Sequence, residues 1–73
     1  MVVSAELKQQ LGQLGWTYHG ICACSVPMHE FKKNKYKIAI SQSRNLWNIF
    51  SAMNTVLGVG TTQETLIASI SSL

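Results

Sequence analysis

Aspartate is absent from this chain, proline occurs once, and the only acidic residues are three glutamates. Without aspartate, a catalytic histidine could be oriented only by Glu6, Glu30, Glu64 or a backbone carbonyl. Charge is also scarce: 12% of residues are charged against 47% apolar. That balance excludes the disordered class. It leaves exposed positions to Ser, Thr, Asn and Gln, or to an apolar patch covered by a second subunit. No apolar run is long enough to span a bilayer. The segment Met1–Glu6 has no basic stretch leading into an apolar one, so a secretory signal is not expected. The cytoplasm is the expected location, and there both cysteines are expected as thiols. A disulfide between Cys22 and Cys24 would close a very small, strained ring.

The 73 residues predict a single domain, residues 1–73. A chain of this size buries only about 60% of its unfolded surface, so a partner or staple would help it. Ser4 is a candidate N-cap, and Leu7, Leu11 and Leu14 make one apolar stripe, predicting a helix over 4–14 with Gly15 as its stop. From Trp16 to Ser25 the pattern is extended, with Trp16, Tyr18, Gly20, Cys22 and Cys24 on one face and Thr17, His19, Ile21, Ala23 and Ser25 on the other. Pro27 ends that strand, and residues 26–35 read as a polar, basic connection. Tyr36, Ile38 and Ile40 predict the inner face of the next strand, with Lys37, Ala39 and Ser41 outside.

Residues 43–59 fit two templates. Leu46, Ile49, Phe50, Met53 and Leu57 match a helical stripe. Asn48, Ser51, Asn54, Thr55 and Val56 are poor helix formers, so the preferred reading is two strands, Leu46–Phe50 and Thr55–Val59, joined at Ala52-Met53-Asn54. Thr61 and Glu64 form a capping-box pattern before a final helix carrying Leu66, Ile67, Ile70 and Leu73. The expected fold is α+β: an N-terminal helix, an antiparallel sheet of three to four strands and a C-terminal helix, in the order α-β-β-β-β-α.

Phe31–Arg44 contains Lys32, Lys33, Lys35, Lys37 and Arg44, five of the six basic residues, and no acidic one. With Phe31 and Tyr36 interleaved, the stretch predicts a nucleic-acid contact in which lysines hold phosphates and rings stack on bases. Such lysines also discourage edge pairing in ordinary sheets. The net charge of +3 permits an anionic partner without requiring one.

His19, Cys22, Cys24 and His29 form a His-x2-Cys-x-Cys-x4-His pattern. These residue types suit tetrahedral zinc, but paired zinc cysteines are usually spaced more widely, and an extended chain turns His19 away from the cysteines. No metal or other cofactor is therefore expected. His29 is the candidate catalytic base, with Lys32 or Arg44 to stabilise a phosphate oxyanion. Trp16, Trp47, Phe50, Met53 and Leu57 exceed what so small a core needs, so they either form a homodimeric or other protein-interaction face or simply fill the core.

The layout resembles small double-stranded-RNA-binding-like domains, and in particular HicA-type toxins of bacterial toxin–antitoxin modules. The resemblance is carried by Leu7–Leu14, Gly15-Trp16, His29-Glu30-Phe31, Lys35–Ser41 and Gly60-Thr61 with Leu66–Leu73. It implies an RNA-cleaving site with His29 as base. The family's Gly-Ser-His-His type signature is replaced here by Val26-Pro27-Met28-His29. Trp47, Ile49, Val56, Leu57, Gly58 and Gly60 are also similar to a pattern found in small phage and mobile-element proteins, a class without a common activity.

Overall fold

The computed structural model describes residues 1–22 and 25–73. Ala23 and Cys24, and with them the strand-face and metal-ligand readings of Cys24, lie outside the described residues. The elements run α1 (Ala5–Gln13), β1 (Thr17–Ile21), β2 (His29–Lys33), β3 (Tyr36–Ser41), β4 (Leu46–Phe50), β5 (Val56–Gly60) and α2 (Gln63–Ile70). The strands form one antiparallel sheet in sequence order, β1-β2-β3-β4-β5. The α+β expectation holds, with five strands in place of three to four.

The additional strand is β2, in the stretch that reads as a connection. Its one buried residue, Phe31, is too weak a pattern to stand out. The strand forms because β1 and β3 satisfy its backbone on both sides, with Phe31 opposite Tyr18 and Ile38. The hairpin reading of residues 46–59 holds: Ser51 turns the chain, its hydroxyl accepting from Met53 and Thr55 N–H. Three turns each place an asparagine in the left-handed region, Asn34 (φ 53°), Asn45 (φ 53°) and Asn54 (φ 59°). Asparagine tolerates this conformation better than other residues with a Cβ.

Both helices cover one face of the sheet. Register places Phe31, Ile38, Ile40, Trp47 and Ile49 on a common face, where they form one core with Leu7 and Leu11 of α1 and Leu66 and Ile70 of α2. The opposite face is open. Ala39 and Ser41 lie on that open side as expected, yet both are buried. They are small and sit in the central strand, where longer neighbours shield them. Ser41 also holds the β3–β4 turn, accepting from Arg44 N–H at 3.2 Å.

The helix ends follow local chemistry. Ser4 caps α1, accepting from Leu7 N–H. At the other end Gly15 takes φ +94° and Trp16 N–H returns to the Leu11 carbonyl. Leu14, expected on the apolar stripe, is instead the C-cap and is exposed. The cap of α2 is Thr62 rather than Thr61. Thr62 Oγ1 accepts from Thr65 N–H, and its carbonyl accepts the indole N–H of Trp47 at 2.9 Å. That second bond selects Thr62 because it satisfies a buried donor. Leu73 falls beyond the end of α2 and is exposed.

Trp47 also decides which residues β5 can hold. A Cβ at Gly60 would lie 2.5 Å from Trp47 Cζ2, whereas one at Gly58 would lie 3.4 Å from Cζ3. Gly60→Ala should therefore destabilise the protein by about 1–3 kcal/mol through overpacking. Gly58→Ala should shift stability by less than about 1 kcal/mol in either direction, since close contact there offsets the entropy gained in the strand. Urea denaturation of the two variants beside the parent checks the difference.

Candidate interaction surface

The basic ribbon does not converge. Neighbouring strand residues face opposite ways, so Lys32 lies on the open face and Lys33 on the helix face. Lys33 Nζ donates to the Leu14 carbonyl at 2.8 Å. It thereby supplies the cation at the α1 C-terminus that the last turn of α1 lacks. Lys35 stands in the β2–β3 turn with its ammonium 5.6 Å from the Tyr36 ring centroid. Lys37 is on the open face, 3.5 Å from Glu30 and 5.2 Å from the Phe50 ring centroid. Arg44 lies in the β3–β4 turn, at the other end of β3 from Lys35, on the order of 17 Å away along the strand.

The aromatic residues separate as well. Phe31 is fully buried, which corrects its reading as a base-stacking ring. Tyr36 is half-buried on the helix face. What the open face brings together is Lys32, Lys37 and Phe50, with Glu30 neutralising part of the charge.

His29 sits on the helix face at the β1–β2 edge. Its Nδ1 is 2.8 Å from the Tyr18 hydroxyl, a hydrogen bond in either tautomer, and the two rings stack at 5.9 Å. The Lys8 ammonium lies 4.3 Å from the Tyr18 ring centroid. Burial first, and the nearby Lys8 charge second, hold the His29 pKa below its ordinary value of 6.5. Glu30, the nearest carboxylate in sequence, faces the other way and pairs with Lys37. Lys32 also faces away. Among the described residues no carboxylate hydrogen-bonds His29, so the Tyr18 hydroxyl orients it in place of the glutamates or backbone carbonyl expected from the sequence.

The histidine–cysteine pattern is not gathered into a ligand set. His19 is exposed on β1, and His29 is engaged by Tyr18. Cys22 is disulfide-bonded rather than the free thiol that its expected compartment implied. Among the described residues no group of three or more His, Cys, Asp or Glu could hold a metal ion. No helix among them is long and apolar enough to cross a membrane.

The surface that the sequence reading reached only in part is the β4–β5 hairpin. From Asn45 to Gln63 the chain carries no charged residue. Within that stretch Met53 is 88% exposed, Val56 54%, Leu57 48% and Val59 63%. Met53 and Leu57 stand among the surplus apolar residues of the sequence; Val56 and Val59 do not. The charge-free interval was the available signal. Trp16 and Trp47, from the same surplus, are buried in the core, and Phe50 is half-buried on the open face. β5 forms an edge of the sheet. An uncharged, apolar edge strand lacks the lysines and prolines with which sheets usually discourage pairing. Its one protective device is a bulge at Leu57, where the register shifts between Ile49–Gly58 and Phe50–Val56.

The His29 environment carries a pH dependence. A folded-state pKa below the unfolded one means that protonation favours the unfolded chain. This contribution to stability is complete above about pH 6.5 and is lost as pH falls through the depressed folded value. Melting temperature should therefore drop more between pH 7.5 and 5 for the parent than for His29→Gln. Equal drops in parallel thermal scans would contradict the assignment.

Comparison with known proteins finds no matching family model, no matching curated protein and no matching solved structure.

Proposed function

We propose that this chain is a non-catalytic protein-interaction module that engages its partner through the β4–β5 hairpin and the free edge of β5. One observation carries the reading: Met53, Val56, Leu57 and Val59 are all exposed on one hairpin, inside a stretch without charge. Exposed apolar side chains clustered at a sheet edge are the usual mark of a binding surface, and scattered ones are not. An extended partner segment would add backbone hydrogen bonds along β5 and rest its side chains on Val59 and Leu57. A photo-reactive residue at Met53 should cross-link to a protein in cells, whereas the same residue at Glu6, exposed on α1, should not. Absence of any adduct from Met53, or equal labelling from both sites, would reject the reading.

Nucleic-acid contact is the second reading, supported by Lys32, Lys37 and Phe50 sharing the open face. Two phosphate contacts would give a shallow salt dependence, with a slope of about −1.8 against log salt on duplex DNA. Under this reading Lys32→Ala with Lys37→Ala should remove most binding to a duplex in a fluorescence anisotropy titration, while Lys33→Ala leaves it unchanged. The HicA-like ribonuclease reading has less support, because the described hydrogen bonds of His29 include no carboxylate and Lys32 lies on the opposite face.

A further inference from the structure

We infer that β5 pairs antiparallel with β5 of a second copy of this chain, about a two-fold axis at Gly58. This rests on the interaction reading above and names its partner. β4 occupies one side of β5, and among the described residues no strand lies on the other. The described backbone hydrogen bonds outside the sheet ladders and helices involve none of Val56–Gly60. Their outward amides and carbonyls are therefore open to another strand.

The order of residues makes this edge complementary to itself. With Gly58 on the axis, Leu57 lies opposite Val59 of the second copy, and Val59 opposite its Leu57. The bulge at Leu57 takes Val56 out of this register. Two exposed apolar side chains thus meet twice, and the central position has no side chain to obstruct the approach. Antiparallel strands related by a two-fold axis form an isologous contact, which closes at a dimer.

The edge itself adds no charge repulsion to this pairing. The chain carries a net +3, so two copies repel over most of their surface. The interval between Arg44 and Glu64 keeps charged residues off this edge. A nucleic acid or an acidic peptide would find no countercharge there, whereas a second copy presents an equally uncharged strip. The other edge, β1, is less suited. Gly20 bulges it at φ +86°, and His19 at its middle would meet itself across a two-fold axis.

The bulge at Leu57 keeps the regular part of the strand short, so the contact is small. Interfaces below about 1,200 Å² are transient, and a dissociation constant on the order of tens of micromolar is expected. Sedimentation equilibrium of the full chain from about 5 to 500 μM should show the apparent mass rise from the 8.1 kDa of one chain toward a dimer. Leu57→Lys and Val59→Lys should each weaken association at least tenfold while circular dichroism stays that of the parent. Thr17→Lys, on exposed β1, should leave the mass profile unchanged. In parallel, amide exchange along β5 should slow as concentration rises, a readout that needs no variant. A monomer at every concentration with concentration-independent exchange overturns the inference, as does a dimer indifferent to both lysine substitutions. A monomer whose Met53 position still cross-links to another protein overturns self-pairing alone and leaves the interaction reading standing.

Discussion

The buried indole of Trp47 is the constraint around which the far half of the molecule is arranged. It projects from β4 into the core and needs both volume and a hydrogen-bond acceptor. Gly60 and Gly58 supply the volume on the neighbouring strand. The Thr62 carbonyl supplies the acceptor, so the first residue before α2 is tied to β4. A β-branched residue at position 60 would suit an isolated strand better, but it has no room beside the ring. Local strand preference has yielded to packing at this point, and the helix start has moved with it.

That tie explains which parts of the fold were legible. Stripes of leucine with a serine before them and a glycine after them specify α1 with little help from elsewhere. The alternation of Tyr36, Ile38 and Ile40 likewise specifies β3. Poor helix formers at Asn48, Ser51 and Asn54 were enough to separate hairpin from helix. β2 was hidden because Phe31 is its single core residue and its other positions are polar; its neighbours, not its own pattern, make it a strand. The α2 cap shifted by one residue because the acceptor for Trp47 lies fifteen positions away in sequence, beyond the reach of a local motif.

The candidate sites divide along the same line. Counting lysines in a short stretch says nothing about direction, and a pleated strand sends adjacent residues to opposite faces. Lys32 and Lys33 are the plainest case: one stands on the open face, and the other closes the end of α1. Glu30 and His29 divide in the same manner, which denies the histidine its nearest carboxylate. The exposed hairpin was partly legible, since Met53 and Leu57 were surplus to the core. Val56 and Val59 were not, and their exposure follows from Gly58 and Gly60 being the β5 residues that face Trp47.

The strand order has a kinetic counterpart. Each strand pairs with the one that precedes it, so the five-stranded sheet can zip up one hairpin at a time without closing a long loop. Docking of the helices brings remote segments together, as between Val3 and Gln42 or Gln10 and Gln63. Chains dominated by such local pairings fold quickly for β-rich proteins.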